Sequence, residues 1–233
     1  MRKRKVAIFD IDGTIFRSSL LIEVVEEMIA AGLVPAATNR DYLSQRAKWL
    51  DREGSYDDYI EAVVRAFMRR IKGVPLRRFA AASKRVVERN GKHVYRFTRE
   101  LVEKLKRRGY FLLAISNSPK IILDEFCRRW GFDLAYGRIY ETDSGGRYTS
   151  EIRHLELITD KAKILKRVAA KYGLTLKGSV GVGDSETDIP FLKLVETPIC
   201  FNPNGKLLSV ARRKRWRVVV ERKDVVYDLS KRY

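Results

Sequence analysis

The fold is decided by a stretch near the beginning of the chain, Val6-Ala7-Ile8-Phe9-Asp10-Ile11-Asp12-Gly13-Thr14. Its apolar part, Val6 to Phe9, has the length and composition of a strand that is buried on both faces of a parallel sheet. The pattern recurs twice, because Phe111 to Ile115 precedes Ser116 and Gly178 to Gly183 precedes Asp184. We therefore predict three buried strands, each followed directly by polar residues.

Helical patterns lie between these strands, and such an alternation is typical of an α/β protein with right-handed crossovers. We expect a Rossmann-like parallel sheet as the core. Ligands of open parallel sheets gather at the carboxyl ends of the strands. The three polar clusters should therefore meet at one site.

The first two strands are separated by roughly a hundred residues, far more than one crossover helix needs. Three helical patterns lie in this interval, and we expect an inserted helical cap over residues 16–96, with residues 1–15 and 97–233 forming the core. The alternative is a set of peripheral helices in an ordinary doubly wound fold. The helical patterns run from Leu20 to Ala31, from Ser55 to Ile71 and from Pro75 to Asn90.

The rest of the chain continues the α/β pattern. A β-hairpin is expected around the Gly145-Gly146 turn. The other predicted elements are helices at Pro119 to Trp130, Lys161 to Tyr172 and Leu207 to Arg213, and strands at Pro198 to Phe201 and Val218 to Val220.

The composition narrows the possible classes of protein. The 233 residues contain 48 Lys plus Arg and 29 Asp plus Glu, for a net charge of +19. No apolar run approaches the roughly 18 residues of a membrane span, and the apolar stretch after the basic start is too short for a secretory signal. We expect a cytoplasmic protein with no membrane partner. The cysteines, Cys127 and Cys200, show no metal-site spacing and are expected to be buried thiols.

Asp10 and Asp12 lie two residues apart where the first strand should end. At this spacing one carboxylate can attack while the other passes a proton, and Gly13 allows the chain to turn sharply. The alternative is a simple acidic turn.

The second cluster, Ser116-Asn117-Ser118-Pro119, offers hydroxyl, amide and backbone N–H groups at a helix start, which is a setting that favours phosphate. An ordinary helix cap is the alternative. Lys161 begins a predicted helix and could contact a phosphoryl oxygen, although a surface lysine has the same appearance. Asp184 could bind a hard cation, and Asp188 could face the same site from the following helical turn.

These four motifs, in this order, resemble the haloacid dehalogenase superfamily of phosphotransferases. The helical insertion after the first motif is similar to that of the capped subgroup that contains the phosphoserine phosphatases. The resemblance implies that Asp10 is the nucleophile and Asp12 the general acid and base. It also implies that Mg²⁺ is held by Asp10, Asp184 and the backbone carbonyl of Asp12.

The same resemblance implies that Ser116 and Lys161 hold phosphoryl oxygens and that Asp188 orients Lys161 or a metal-bound water. We also expect Asn117, next to Ser116, to contact the substrate. Lys163 is the competing lysine, but both side chains cannot point to one spot on a helix that turns about 100° per residue. At the cap position where the subgroup carries a glutamate that holds the substrate amine, an ungapped count gives Ser19. Glu23, one turn later, could substitute for it.

We expect a magnesium-dependent phosphomonoester hydrolase that acts on a small phosphorylated metabolite. A protein that binds nucleic acid, or a phosphatase of nucleic-acid ends, is the alternative that the basic charge suggests. Because no known nucleic-acid motif is evident, we expect nucleic acid to bind only non-specifically. Neither histidine, His93 or His154, stands in a setting typical of a histidine nucleophile.

Overall fold

The computed structural model describes residues 3–153 and 158–230, so His154 lies outside the described residues. In these ranges the strands form an eight-stranded sheet in the order β4-β3-β2-β1-β5-β6-β7-β8. The strands are β1 Lys5–Phe9, β2 Phe111–Pro119, β3 Leu134–Thr142, β4 Tyr148–Arg153, β5 Thr175–Gly183, β6 Thr197–Phe201, β7 Arg217–Arg222 and β8 Val225–Asp228.

The middle of the sheet is parallel and only β4 and β8 are antiparallel to their neighbours. The apolar core strand β1 lies between β2 and β5, with Phe9 opposite Ala114 on one side and Val182 on the other. The residues that follow these three positions therefore reach the same edge of the sheet. The predicted α/β class and parallel core are confirmed.

The helices agree with the sequence patterns, except that α2 (Leu43–Leu50), α5 (Arg96–Arg107) and a 3₁₀ turn at Ala36–Asp41 were not predicted. No residue of α2 is buried, so this helix carries no apolar periodicity that a sequence pattern could detect. The described α-helices are α1 Leu20–Ala30, α2 Leu43–Leu50, α3 Tyr56–Ile71, α4 Leu76–Asn90, α5 Arg96–Arg107, α6 Lys120–Trp130, α7 Lys161–Lys171, α8 Ile189–Leu192 and α9 Gly205–Lys214.

Helices α1 to α4 lie between β1 and β2, where the insertion was predicted. At the start of α3, the Ser55 hydroxyl accepts a hydrogen bond from the Asp58 backbone N–H, as its capping pattern predicts. The buried face of α3 and one face of the sheet belong to a continuous hydrophobic core that includes Phe67 and Phe9. Helices α1, α3 and α4 thus share a core with the sheet.

The β3–β4 hairpin extends to these helices. Gly73 N–H donates to the Tyr148 carbonyl at 2.8 Å, and Tyr148 N–H donates to the Val74 carbonyl at 3.1 Å. The Phe67 ring on α3 packs edge-on against Tyr140 of β3 at 5.1 Å. The hairpin therefore joins the inserted helices to the carboxyl end of the sheet.

None of the helices in the described ranges has the length and apolar character needed to cross a membrane. Cys127 and Cys200 are buried free thiols, as predicted.

Candidate active site

Asp10 lies at the carboxyl end of β1, in the middle of the sheet. Its backbone N–H donates to the Val182 carbonyl of β5 at 2.9 Å, which fixes the start of the turn that follows. Gly13 in this turn has a φ of +77°, and a Cβ atom there would lie 2.2 Å from Asp184 Oδ2. The turn can therefore approach Asp184 only with a glycine at this position.

Lys161 is in contact with two of the predicted site residues. Its Nζ atom donates to Asp10 Oδ1 and to Asp188 Oδ1, at 2.6 Å in both cases, and its side chain is only 3% exposed. The helix start directs it there, because the Asp160 side chain caps α7 by accepting from the Lys163 N–H. Lys163 itself is exposed.

Asp188 is completely buried and anchors the third loop of the site. While Oδ1 accepts from Lys161, Oδ2 accepts from the backbone N–H groups of Asp184 at 3.0 Å and Ser185 at 3.1 Å. Gly183 makes this fold of the loop possible, because a Cβ atom there would lie 2.5 Å from Asp188.

Asp10, Asp184 and Asp188 form a cluster whose carboxylate oxygens lie within 4.8 Å of one another. Burial raises the pKa of Asp10 to about 8, with Lys161 opposing the rise and Asp188 and Asp12 adding to it. Burial, followed by the charges of Asp10 and Asp188, also raises the pKa of Asp184 well above its usual range. An oxygen-rich cluster with this excess of negative charge fits a hard divalent cation.

Lys161 stays charged in this environment. Burial alone would lower the pKa of its ammonium group, but the carboxylates of Asp10 and Asp188 more than offset that effect and raise it. The site therefore holds a permanent buried cation against the first carboxylate.

Asp12 contacts residues near the end of β2 and at the beginning of α1. Its Oδ1 atom accepts from the Leu20 N–H at 2.6 Å, and Oδ2 accepts from the Ser116 and Ser118 hydroxyls. Three donors thus hold this carboxylate in one orientation. Ser116 was expected to face a phosphoryl oxygen, and here its hydroxyl contacts Asp12 instead.

Ser118 was not among the predicted site residues. Ser116 and Ser118 are two residues apart on β2, and this spacing, which brings both side chains to one side of a strand, is the signal that could have identified it. The Ser116 hydroxyl also accepts from the Ser118 N–H at 2.9 Å, so the two serines form one unit.

The three residues predicted to contact the substrate differ in their exposure and in their hydrogen-bond partners. Asn117 is exposed beside Ser116, and its Oδ1 atom accepts a long hydrogen bond of 3.4 Å from Arg138. Ser19 is buried at the start of α1 without a capping hydrogen bond. Glu23 is partly buried and accepts from the Asn90 side chain at 2.5 Å, so a second inserted helix already holds its carboxylate.

Tyr56, the first residue of α3, was also missed. Its ring packs against Trp49 at 5.3 Å. Although 37% of the residue is exposed, desolvation of the hydroxyl, followed by the charges of Asp12 and Asp184, raises its pKa. This tyrosine brings the inserted helices into the electrostatic field of the carboxylates, and no sequence pattern other than its place after the Ser55 cap marks it.

Relatives with known names support the assignment of the chain to a family. It is 28% identical over 218 residues to phosphoserine phosphatase SerB1 of Mycobacterium tuberculosis, covering 91% of this chain and 69% of the relative. It is also 28% identical over 228 residues to a histidinol-phosphatase of Neisseria meningitidis, covering 93% and 98% of the two chains.

Solved structures show the same fold. A phosphoserine phosphatase determined as an analogue of its phospho-aspartyl intermediate superposes with a TM-score of 0.64 at 21% identity, covering 96% of each chain. A Bordetella pertussis protein of unknown function gives a TM-score of 0.72 at 20% identity, covering 93% of this chain and 98% of that one.

The carboxylates of the first and last motifs meet at the carboxyl edge of the sheet, where the sequence predicted one site. Residues 7–193 match the haloacid dehalogenase-like hydrolase family. The predicted resemblance and enzyme class are thereby confirmed, and the chain belongs to the haloacid dehalogenase-like hydrolase family.

Proposed function

We propose that the protein is a magnesium-dependent phosphomonoester hydrolase that acts on a small phosphorylated metabolite through an aspartyl-phosphate. The observation that supports this most is the environment of Asp10. Its buried carboxylate lies at the end of the central strand, contacts Lys161 and shares a cluster with Asp184 and Asp188. The names of the relatives, phosphoserine phosphatase and histidinol-phosphatase, agree with a phosphate ester as substrate.

Asp10, Asp184 and the backbone carbonyl of Asp12 would hold the Mg²⁺ ion, while Asp188 is occupied by Lys161 and by backbone N–H groups. When bound, the ion supplies positive charge that lets an anionic carboxylate approach an anionic phosphate.

In the first step, an Asp10 carboxylate oxygen forms a bond to phosphorus while the bond from phosphorus to the leaving oxygen breaks. Asp12 gives its proton to that oxygen, which departs as an alcohol. Lys161 and Ser116 would hold phosphoryl oxygens, since positioning and electrostatics dominate phosphoryl transfer.

In the second step, Asp12 takes a proton from a water molecule whose oxygen attacks phosphorus. The bond between phosphorus and Asp10 breaks, inorganic phosphate leaves and both carboxylates return to their starting states. The hydrogen bonds from Leu20 and Ser118 would keep Asp12 in position through both steps.

Residues 16–96 would act as a cap that excludes water from the reaction. The effect of the Asp12 and Asp184 charges on the pKa of Tyr56, at the start of α3, supports this role. Substrate contacts by Ser19, Glu23 and Asn117 stay predictions, as do a cytoplasmic location and non-specific, salt-sensitive binding of nucleic acid.

The test compares Asp10→Asn with Asp124→Asn, a control in a half-exposed ion pair with Lys120 on α6. With Mg²⁺ and p-nitrophenyl phosphate, we expect Asp10→Asn to lose at least about 10³-fold in kcat and the control to lose little. Borohydride reduction during turnover should convert Asp10 of the unmodified enzyme to homoserine, since it reduces acyl phosphates. If Asp10→Asn keeps activity within about tenfold, roughly 1.4 kcal/mol in the barrier, the proposal is wrong.

A further inference from the structure

Two serine hydroxyls meet on one carboxylate oxygen of Asp12, the proposed general acid. The Ser118 hydroxyl donates to Asp12 Oδ2 at 2.8 Å, and the Ser116 hydroxyl donates to the same atom. The other oxygen, Oδ1, accepts from the Leu20 backbone N–H at 2.6 Å. If one of the two hydroxyls were withdrawn, both oxygens of Asp12 would therefore still be held.

Ser116 cannot donate to Asp12 and to a phosphoryl oxygen at the same time, because a hydroxyl has a single proton to donate. In the structure this proton lies on Asp12, whereas the proposed function requires it on the phosphoryl group. The Ser116 oxygen also accepts from the Ser118 backbone N–H at 2.9 Å, which holds the oxygen in place while its proton rotates. Binding of a phosphoryl group would thus withdraw the Ser116 proton from Asp12 without moving the side chain.

The backbone that carries Ser118 is irregular and tightly packed. Four steps along β2, from Ile115 to Pro119, correspond to only two steps along β3. Such a bulge interrupts the ladder and redirects the side chains within it. Gly137 of β3 lies against this bulge, and a Cβ atom there would be 2.9 Å from the Ser118 carbonyl oxygen. The close approach of the two strands therefore fixes the backbone position from which the Ser118 hydroxyl reaches Asp12.

The Ser118 hydroxyl has good reason to stay on Asp12. The residue is only 2% exposed, and its hydroxyl donates to Asp12 Oδ2. A buried hydroxyl that loses its acceptor costs free energy, since water cannot readily replace the lost hydrogen bond. The proton of Ser118 should therefore remain on Oδ2 after that of Ser116 has turned away.

We propose that Ser118 is a positioning residue that alone holds Oδ2 of Asp12 once the Ser116 hydroxyl has turned to the phosphoryl group. With Leu20 on Oδ1 and Ser118 on Oδ2, the Asp12 carboxyl group keeps its orientation toward the leaving oxygen. The exchange changes hydrogen bonds only, and no covalent bond forms or breaks in it. This inference rests on the proposed phosphatase function and deepens it, because it gives the two serines separate tasks: Ser116 binds the phosphoryl group and Ser118 orients the acid.

The test compares kcat/KM for phenyl phosphate and p-nitrophenyl phosphate, which have similar shapes but differ in how much their leaving group needs a proton. The nitro group stabilises the departing phenolate, so hydrolysis of its ester depends less on a well-oriented acid. In Ser118→Ala, kcat/KM should fall by about 10- to 100-fold for phenyl phosphate and by less than about threefold for p-nitrophenyl phosphate. Ser116→Ala should lower both values by a similar factor, because both substrates carry the phosphoryl group. The control is Ser83→Ala, which removes a buried hydroxyl that donates to the Phe79 carbonyl on α4 and should change neither value.

Circular dichroism under the assay conditions gives the folded fraction of each variant, to which the rates are normalised. Equal losses on the two esters in Ser118→Ala, or no loss on either, would overturn the positioning role of Ser118 while leaving a phosphatase. A loss in Ser116→Ala that is confined to phenyl phosphate would show that Ser116 stays on Asp12, and would overturn the exchange. A wild type that hydrolyses neither ester would overturn the proposed function, and this inference with it.

Discussion

Replacing Lys161 by methionine tests whether the buried ion-pair network organises the site. Methionine keeps most of the length of the side chain but removes its charge and both 2.6 Å contacts, to Asp10 and to Asp188. Because the lysine is 3% exposed and Asp188 is completely buried, water cannot readily replace the lost partner. The carboxylates would then repel one another without compensation.

The magnitude follows from these contacts. Removing one partner of a buried ion pair costs about 3–5 kcal/mol. We therefore expect Lys161→Met to lower the free energy of unfolding by about 3–5 kcal/mol in the presence of a chelator. If Lys161 makes two hydrogen bonds to phosphoryl oxygens in the transition state, at about 1.5–3 kcal/mol each, kcat should fall by about 10²- to 10⁴-fold.

The assay combines urea unfolding, with and without Mg²⁺, and hydrolysis of p-nitrophenyl phosphate. Mg²⁺ should raise the stability of Lys161→Met more than that of the wild type, because a cation that binds only the folded state stabilises it and the variant site is more negative. Lys163→Met, two residues along the same helix and exposed, is the matched control and should behave as the wild type. Activity of Lys161→Met within tenfold of wild type, or equal losses in both variants, would refute this account of the network.

Two further predictions concern other parts of the chain. Glu27 is buried on α1 and accepts from Arg85 at 2.6 Å and Arg89 at 2.9 Å; burial opposes, but these two hydrogen bonds lower its pKa below the usual 4.5. A lowered pKa stabilises the fold at pH values above the unfolded-state pKa, and this stabilisation is lost as the pH falls through the folded-state pKa. Glu27→Gln should therefore lower the free energy of unfolding by about 1–3 kcal/mol in urea at pH 7, and by progressively less below about pH 4.5. A difference in stability between variant and wild type that stays constant with pH would contradict this. Gly13→Ala should displace Asp184 and raise the Mg²⁺ concentration needed for half-maximal activity. The control is Gly146→Ala, which also has a positive φ (+69°) but has open space around the added Cβ, so it should lower stability alone. Equal Mg²⁺ responses of the two variants would show that the close approach to Asp184 does not matter.

The fold was predictable from the sequence because its central strands are buried on both faces. Such strands appear as apolar runs that end abruptly, and Val6 to Phe9 shows this without help from neighbouring elements. The edge strand β8 is different, since half of its residues are exposed and its pairing with β7 is set by the tertiary structure. Short, exposed elements leave too little pattern to be recognised.

The site was predictable only to the extent that its residues stand in local motifs. Asp10, Asp12 and Asp184 follow the ends of strands that the topology brings together. The partners of Asp12 could not be inferred in the same way, because its bonds to Ser116 and Ser118 join positions 104 and 106 residues apart.

The partners of Asp188 depend on a turn whose detailed geometry the sequence does not specify. The sequence predicts Asp184 at the end of a strand and Asp188, four residues later, on a helical turn that faces the same site. In the structure a 3₁₀ turn, Glu186–Asp188, precedes the short helix α8, and the Asp188 carboxylate folds back onto the Asp184 and Ser185 N–H groups. Its other oxygen is then free to hold Lys161. The turn thus couples the backbone that carries Asp184 to the lysine that contacts Asp10, so a disturbance at any of the three acidic residues should reach the other two.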